Sequence, residues 1–326
     1  MQDQMIERII DVMERYKFKN IRIFCNKKMT AKSLAPAFAL NEFLQYIGLD
    51  SMLIVENKED MPIKYEKVIG KPDLERYLAI AVDCQKETDI ENEFYRESTT
   101  LLNVYSPLST KGYGVLNFKT ENVSGTSEYM VAELMDYCVK NDLALPINIA
   151  EWLYLGIIGA TRRFGTNIKK NTMLVAKQLI DLEINYGKVN YIYERCETTA
   201  LRCQEVILRN LIEKDHYVYA IIKLSDYDGL FGENDFYKAL NAFRNISESY
   251  MVALFIEQSD ETFKALLGTN DYYKANVRHI ARKNNGDGDN YTAEAVIQDF
   301  DLSKMIGDIE IACERIGQKE EFNEEF

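Results

Sequence analysis

NIRIFC (20–25), NKKMTAKS (26–33) and LAPAFALNEFLQY (34–46) are consecutive, and together they read as a strand, a polar loop and a helix. The first piece is short and rich in Ile and Phe, while helical spacing of apolar residues runs from about Ala31 to Tyr46. SMLIVE (51–56), YLAIAVD (77–83) and TLLNVYS (100–106) follow as near-continuous apolar runs separated by polar or helical stretches. Strands buried on both faces have this character, so the pattern predicts a parallel sheet covered by helices. In such α/β folds ligands bind beyond the carboxyl ends of the strands. The 26–33 loop and the strand-end acid Asp83 are therefore the first places to look for chemistry.

From Thr126 the pattern turns helical, through SEYMVAELMDYCV (127–139), IAEWLYLGIIGA (149–160) and NTMLVAKQLIDLEI (171–184). A more polar helical stretch at 187–214 suits a connector, which sets a first domain at 1–186 and a second, smaller α/β domain at 215–318. YVYAIIKL (217–224) and YMVALFIEQ (250–258) read as strands of that second domain, KNNGDGDN (283–290) as a turn, and LSKMIGDIEIACERIG (302–317) as a closing helix. The acidic end at 319–326 is expected to fray.

A chain of 326 residues is long enough for two cores, because single cores stop growing at about 250–300 residues. Its 47% hydrophobic and 28% charged residues, with only five prolines, fit a folded protein rather than a disordered one. No apolar run approaches the roughly 20 residues that span a bilayer, and MQDQMIERIIDVMERY (1–16) reads as an amphipathic helix rather than a signal peptide. A soluble, cytoplasmic protein is expected. The six cysteines lack zinc spacing and lie mostly among apolar neighbours, as buried reduced thiols do. A net charge of −13 disfavours nonspecific binding of DNA or RNA but leaves room for a local pocket for a small phosphorylated ligand. The sequence contains neither a phosphate loop nor a nucleophile elbow. The two histidines, His216 and His279, read as surface or packing residues.

The order of these pieces, with NVSGTSEYMVAEL (122–134) and LYLGIIGATRRF (153–164), resembles the DHH phosphoesterase family with its DHH-associated C-terminal domain, in the branch of oligoribonucleases and phosphoadenosine phosphatases. The resemblance implies a two-domain fold with a cleft, manganese as the family's cofactor, and a homodimer as the family's assembly. It also shows what this chain lacks. The family's first loop has the form His-x-x-Asp-x-Asp-x-x-Ser, and here Cys25 stands at the histidine, Lys28 and Thr30 at the two aspartates, with Ser33 matching. The family's strand-end aspartate is kept as Asp83. The Asp-His-His signature falls on Asn103-Val104-Tyr105, and Ala160 occupies the aspartate of the fourth motif, ahead of Arg162. In the C-terminal domain the glycine-rich phosphate loop corresponds to the 285–294 stretch, where Asp287 and Asp289 are expected to repel a phosphate.

Loss of those ligands points to a non-catalytic homologue with no metal cofactor, binding a nucleotide or other phosphorylated ligand through Lys28 and Arg162 near Asp83, or serving as a scaffold. The alternative is an active phosphoesterase acting on nucleotides or short oligonucleotides through a rebuilt metal site of Asp83 with Glu87, Asp89 or Asp287. Chelation separates the two cheaply, because metal bound only by the folded state adds its binding free energy to stability. EDTA is expected to leave the melting temperature unchanged, and a downward shift reversed by manganese would count against the metal-free reading.

Overall fold

The computed structural model describes all residues except 1–3, 59–60, 74–75, 107–111, 196–197, 245, 247–248, 260, 270–274, 289–290 and 325–326, and describes the backbone alone of 234, 259 and 319–324. The chain divides into two compact units, Met1–Arg195 and Cys196–Phe326.

In the first unit, six strands form one sheet: β1 (Asn20–Phe24), β2 (Asp50–Ile54), β3 (Val68–Ile69), β4 (Leu78–Val82), β5 (Leu101–Tyr105) and β6 (Leu116–Lys119). Their order is β3-β2-β1-β4-β5-β6 and every pairing is parallel. The helices of this unit are α1 (Met5–Tyr16), α2 (Ala31–Tyr46), α3 (Thr126–Lys140), α4 (Ile147–Thr161), α5 (Thr172–Ile180) and α6 (Tyr186–Glu194). Period-two alternation divides the strands between two cores. Ile21, Ile23, Leu78, Ile80, Val82, Leu102 and Val104 pack with apolar residues of the helices, such as Phe38 and Leu155. Phe24, Ile54, Ala79 and Ala81 face the other way, against Tyr77, Cys84, Ile90 and Tyr95. Helices thus contribute to the larger core, whereas the 84–97 segment, with short 3₁₀ turns at Glu87–Asp89 and Phe94–Glu97, covers the opposite face.

The second unit comprises α7 (Thr198–Arg209), β7 (Leu211–Lys214), β8 (Tyr217–Ile222), α8 (Leu224–Tyr227), α9 (Glu233–Phe243), β9 (Met251–Ser259), β10 (Thr262–Thr269), α10 (Val277–Lys283), β11 (Asp287–Gly288), β12 (Thr292–Gln298) and α11 (Asp299–Glu324). Its sheet runs β11-β12-β10-β9-β8-β7, parallel between β8 and β9 and antiparallel elsewhere. One face buries Phe255, Phe263 and Leu267 with Ile280 and Ile309 of α10 and α11. The other buries Val252, Leu254 and Leu266 with Cys203, Ile207 and Leu240 of α7 and α9.

The stretch 187–214 differs from the single connector its polarity suggested: it holds most of α6, all of α7 and β7. Val189 anchors α6 in the first core and Ile207 anchors α7 in the second, so sparse apolar residues at helical spacing carry the packing. The acidic end also differs, because α11 continues to Glu324, in keeping with the helix propensity of its Glu, Lys and Gln residues. Among the described residues, no helix is long and apolar enough to cross a membrane. The five described cysteines are all free and buried.

Phe38 stacks on Tyr65 with ring centroids 4.2 Å apart and meets Trp152 edge-on at 5.0 Å. Trp152 is the sole tryptophan of the chain, so its fluorescence reports on the first unit. Phe38→Ala removes a fully buried ring and is expected to destabilise that unit by about 3–5 kcal/mol, read from the tryptophan-detected denaturant transition.

Candidate functional site

The sheet order reverses between β1 and β4: the chain places β2 and β3 on one side of this pair and β5 and β6 on the other. Loops leaving two such strands diverge, which opens a crevice at their carboxyl ends. Cys25 and Asp83 are the first residues past β1 and β4. Asn26 joins the two exits, its side-chain nitrogen donating to the Asp83 carbonyl at 2.9 Å while its Oδ1 accepts from the Lys28 amide at 2.9 Å. Two more backbone bonds, Lys27 N–H to the Asp89 carbonyl at 2.9 Å and Glu91 N–H to the Cys25 carbonyl at 3.0 Å, fasten the loop to the 84–97 segment.

Asp83 adopts a left-handed backbone, φ 57°, a conformation to which Asp and Asn are better suited than most side chains. It is 8% exposed, and its Oδ1 accepts from Thr126 Oγ1 at 2.6 Å. Thr126 opens α3 and also accepts from the Ser106 amide at 3.0 Å. Burial pushes the Asp83 carboxyl above its ordinary range, opposed by the Lys32 ammonium and the Thr126 hydrogen bond, with the Asp89 charge adding to the rise. Lys32 lies in the first turn of α2. The last turn of α4 closes the same corner: a Cβ at Gly159 would stand 2.8 Å from the Lys32 backbone nitrogen, which is why only glycine fits there without movement. A Cβ at Gly125 would stand 2.8 Å from that of Ala160. Asp83, Asn26, Lys32, Thr126 and Ala160 thus gather around the switch point.

The remaining expected positions fall nearby in varied roles. Cys25 is fully buried, and burial, with the Glu91 charge as a lesser cause, pushes its thiol up to about 12. Lys28 and Thr30 are exposed, and the Thr30 N–H donates to Ser33 Oγ at 3.0 Å at the start of α2. Asn103 is fully buried and donates to the Cys84 carbonyl at 3.0 Å. Val104 belongs to the helix-side core and Tyr105 is fully buried. Arg162 caps α4 in a left-handed conformation, where its charge acts on the Tyr193 phenol, and neighbouring Arg163 pairs with Glu194. Asp289 lies outside the described residues.

A dinuclear metal centre needs several oxygen or imidazole donors around each ion. The donor set here does not fit one. Asp83 commits one carboxylate oxygen to Thr126, the Cys25 thiol is held protonated, Ala160 has no donor, and Asn103 offers a single neutral amide oxygen while its nitrogen donates to the Cys84 carbonyl. The carboxylates considered for a rebuilt site have other partners. Asp89 accepts from the Lys86 amide at 2.9 Å, Glu87 from the Tyr95 hydroxyl at 2.8 Å, and Asp287 from Arg278 Nε at 2.8 Å. Among the described residues, no three His, Cys, Asp or Glu side chains are placed to share an ion.

In the second unit, the expectation that Asp287 repels a phosphate needs correction. Its Oδ1 accepts from Arg278 Nε at 2.8 Å and from Arg282 Nε at 3.3 Å. The Arg278 hydrogen bond, joined by one from the Gly288 backbone and by both guanidinium charges, holds the Asp287 carboxyl well below the usual carboxylate range. The sequence shows the acid, but the cations that outnumber it come from the preceding helix.

No family model matches the chain. A curated protein of Streptococcus mutans, a probable bifunctional oligoribonuclease and PAP phosphatase NrnA, is 22% identical over 227 residues, which cover 68% of this chain and 70% of that protein. Among solved structures, an exopolyphosphatase-related protein from Bacteroides fragilis matches with a TM-score of 0.77 at 15% identity, over 97% of this chain and 96% of that one. RecJ from Thermus thermophilus, in complex with Mn2+, matches with a TM-score of 0.55 at 13% identity, over 94% of this chain and 54% of RecJ. The parallel sheet, its switch point and the second unit define the α/β fold shared with these proteins. In sequence and fold the chain is similar to DHH-family phosphoesterases.

The raised carboxyl of Asp83 gives a signed pH dependence. A folded-state value above the unfolded one adds stability below the unfolded value near 3.9, and that increment is lost as pH rises through the folded value. Asp83→Asn tolerates the left-handed backbone and removes this dependence. Wild type is expected to gain stability relative to Asp83→Asn as pH falls through the folded value, measured by chemical denaturation across mildly acidic pH.

Proposed function

We propose that this protein binds a nucleotide or another phosphorylated ligand at the β1–β4 switch point and does not hydrolyse it by the family's two-metal route, acting in the cytoplasm. The observation that carries this reading is the arrangement around Asp83. The one family acid retained there is turned into a hydrogen bond with Thr126, and Lys32 supplies positive charge beside it. Lys28, exposed in the first loop, and Arg162, at the end of α4, are the further cations proposed to contact phosphate. Lysine and arginine hold phosphate directly through charge-assisted hydrogen bonds. A scaffold role with no ligand uses the same fold but does not account for this replacement of acids by cations.

The second reading is hydrolysis of nucleotides or short oligonucleotides. It is favoured by the likeness to the S. mutans protein, whose name states an oligoribonuclease and a phosphatase.

Both are tested on one preparation with manganese, using a short oligoribonucleotide and a 3′-phosphoadenosine nucleotide. The expected outcome is turnover below about 1 s⁻¹, the low end of ordinary enzymes, together with thermal protection by a phosphorylated compound. At a hundredfold excess over its dissociation constant such a ligand stabilises by about 2.7 kcal/mol. Lys28→Glu combined with Arg162→Glu is expected to abolish that protection in a folded protein. Faster turnover that disappears in Asp83→Ala would establish the second reading instead.

A further inference from the structure

The stretch TRRFGTNIKKNTMLVAKQLI (161–180) holds five cations and no acid, in a chain whose net charge is −13. It ends in α5, which is apolar on more than one side. Thr172, Ala176 and Leu179 are buried, whereas Met173, Leu174 and Ile180 are 57%, 58% and 47% exposed, joined by Ile168 at 46% just ahead of the helix. A helix that is apolar all round belongs in a core or against a partner, and this side of α5 is not in the core. Met173, Lys177 and Ile180, four and three residues apart, share one face with Leu174 beside them. The face is held in place by the fold. Thr172 Oγ1 donates to the buried Glu128 carboxylate at 2.8 Å and accepts from the Lys169 amide at 2.9 Å, and Asn167 Nδ2 donates to the Ser124 carbonyl at 2.6 Å. These bonds tie the loop ahead of α5 to the start of α3. Arg163 pairs with Glu194 and Lys177 with Asp181, but Lys169 and Lys170 are exposed and have no ion-pair partner among the described residues.

We propose that this face docks on an anionic lipid bilayer, with Met173, Leu174 and Ile180 entering the headgroup boundary and Lys169 and Lys170 meeting the lipid phosphates. The proposal goes beyond the switch-point reading and does not depend on it. Exposed aliphatic residues flanked by lysines are what a helix lying in a membrane interface presents, and each lysine within a Debye length of an anionic leaflet adds attraction. The rest of the chain is more acidic still once these five cations are set aside, so the same surface repels it and turns this face inward. Docking is to the surface only, since α5 has nine residues and no described helix is long and apolar enough to cross a membrane. Two rival occupants suit the face less well. A second copy bound about a two-fold axis would set the segment against itself, five cations facing five with no acid in either. Single-stranded nucleic acid is held by aromatic platforms as well as by charge, and the four exposed apolar residues here carry no ring.

Vesicles of equal parts phosphatidylglycerol and phosphatidylcholine are the probe, co-sedimented with the full chain at low and at high salt. Wild type is expected to sediment with them, to be released as salt screens the lysines, and to stay in the supernatant with phosphatidylcholine alone. Lys169→Gln with Lys170→Gln should weaken partition about tenfold or more, while Lys169→Arg with Lys170→Arg keeps the charge and should bind as wild type does. Met173→Ser with Leu174→Ser changes only exposed side chains, so its tryptophan-detected denaturant transition should match wild type while its partition falls. No sedimentation with the anionic vesicles, equal sedimentation with phosphatidylcholine alone, or unchanged partition in the glutamine or the serine variant would each overturn the proposal. A wild-type dimer that the serine variant dissociates, seen by analytical ultracentrifugation, would give the face to a second copy and overturn it too. An oligoribonucleotide that displaces wild type from the vesicles and no longer binds the glutamine variant would assign the lysines to nucleic acid instead.

Discussion

A carboxylate buried at the end of a central strand loses hydration that must be replaced by hydrogen bonds and opposite charge. At Asp83 the replacements come from two helices, and a third element holds its backbone. Thr126 donates from the first turn of α3, Lys32 supplies charge from the first turn of α2, and Asn26 ties the backbone of Asp83 to the β1 exit. Satisfying one acid therefore fixes where two helices begin and how the first loop leaves the sheet. The α4 helix completes the corner because Gly159 lets its last turn lie against the α2 backbone.

Near-continuous apolar runs made β1, β2, β4, β5, β8 and β9 legible in the sequence, and helical spacing did the same for α2, α3 and α4. β3 has two residues and β6 four, too few for a period to show. β10 and β12 alternate buried and partly exposed positions over part of their length, and their apolar content, split by Lys264, Glu294 and Gln298, gives no continuous run. The apparent connector failed for a different reason: polarity averaged over 187–214 hides the few residues that pack.

Strand-end chemistry exposed Asp83 as a candidate, but its surroundings were not legible. Asn26 and Thr126 lie 57 and 43 residues from it in sequence, and no local pattern links them. The sequence reading singled out Lys28 in the first loop, whereas it is Lys32, four residues on, whose charge acts on Asp83. Asp287 shows the converse. Its sign was plain in the sequence, yet the field it experiences is set by Arg278 and Arg282, nine and five residues earlier, once the turn brings β11 back beside α10.

These electrostatics bear on chemistry through what a cation can and cannot do. A divalent metal stabilises phosphate charge and also lowers the pKa of a bound water from 15.7 to about 7, which supplies a nucleophile. An ammonium or guanidinium performs the first task only. Lys28, Thr30 and Ala160 offer none of the carboxylates the second task requires, whereas Lys32 beside Asp83 is suited to the first. In the proposed reading, fixed cations in place of metal separate phosphate recognition from water activation. Burial of Asp83 against Thr126 keeps its carboxylate from the position of an accessible base, in keeping with the proposed binding role.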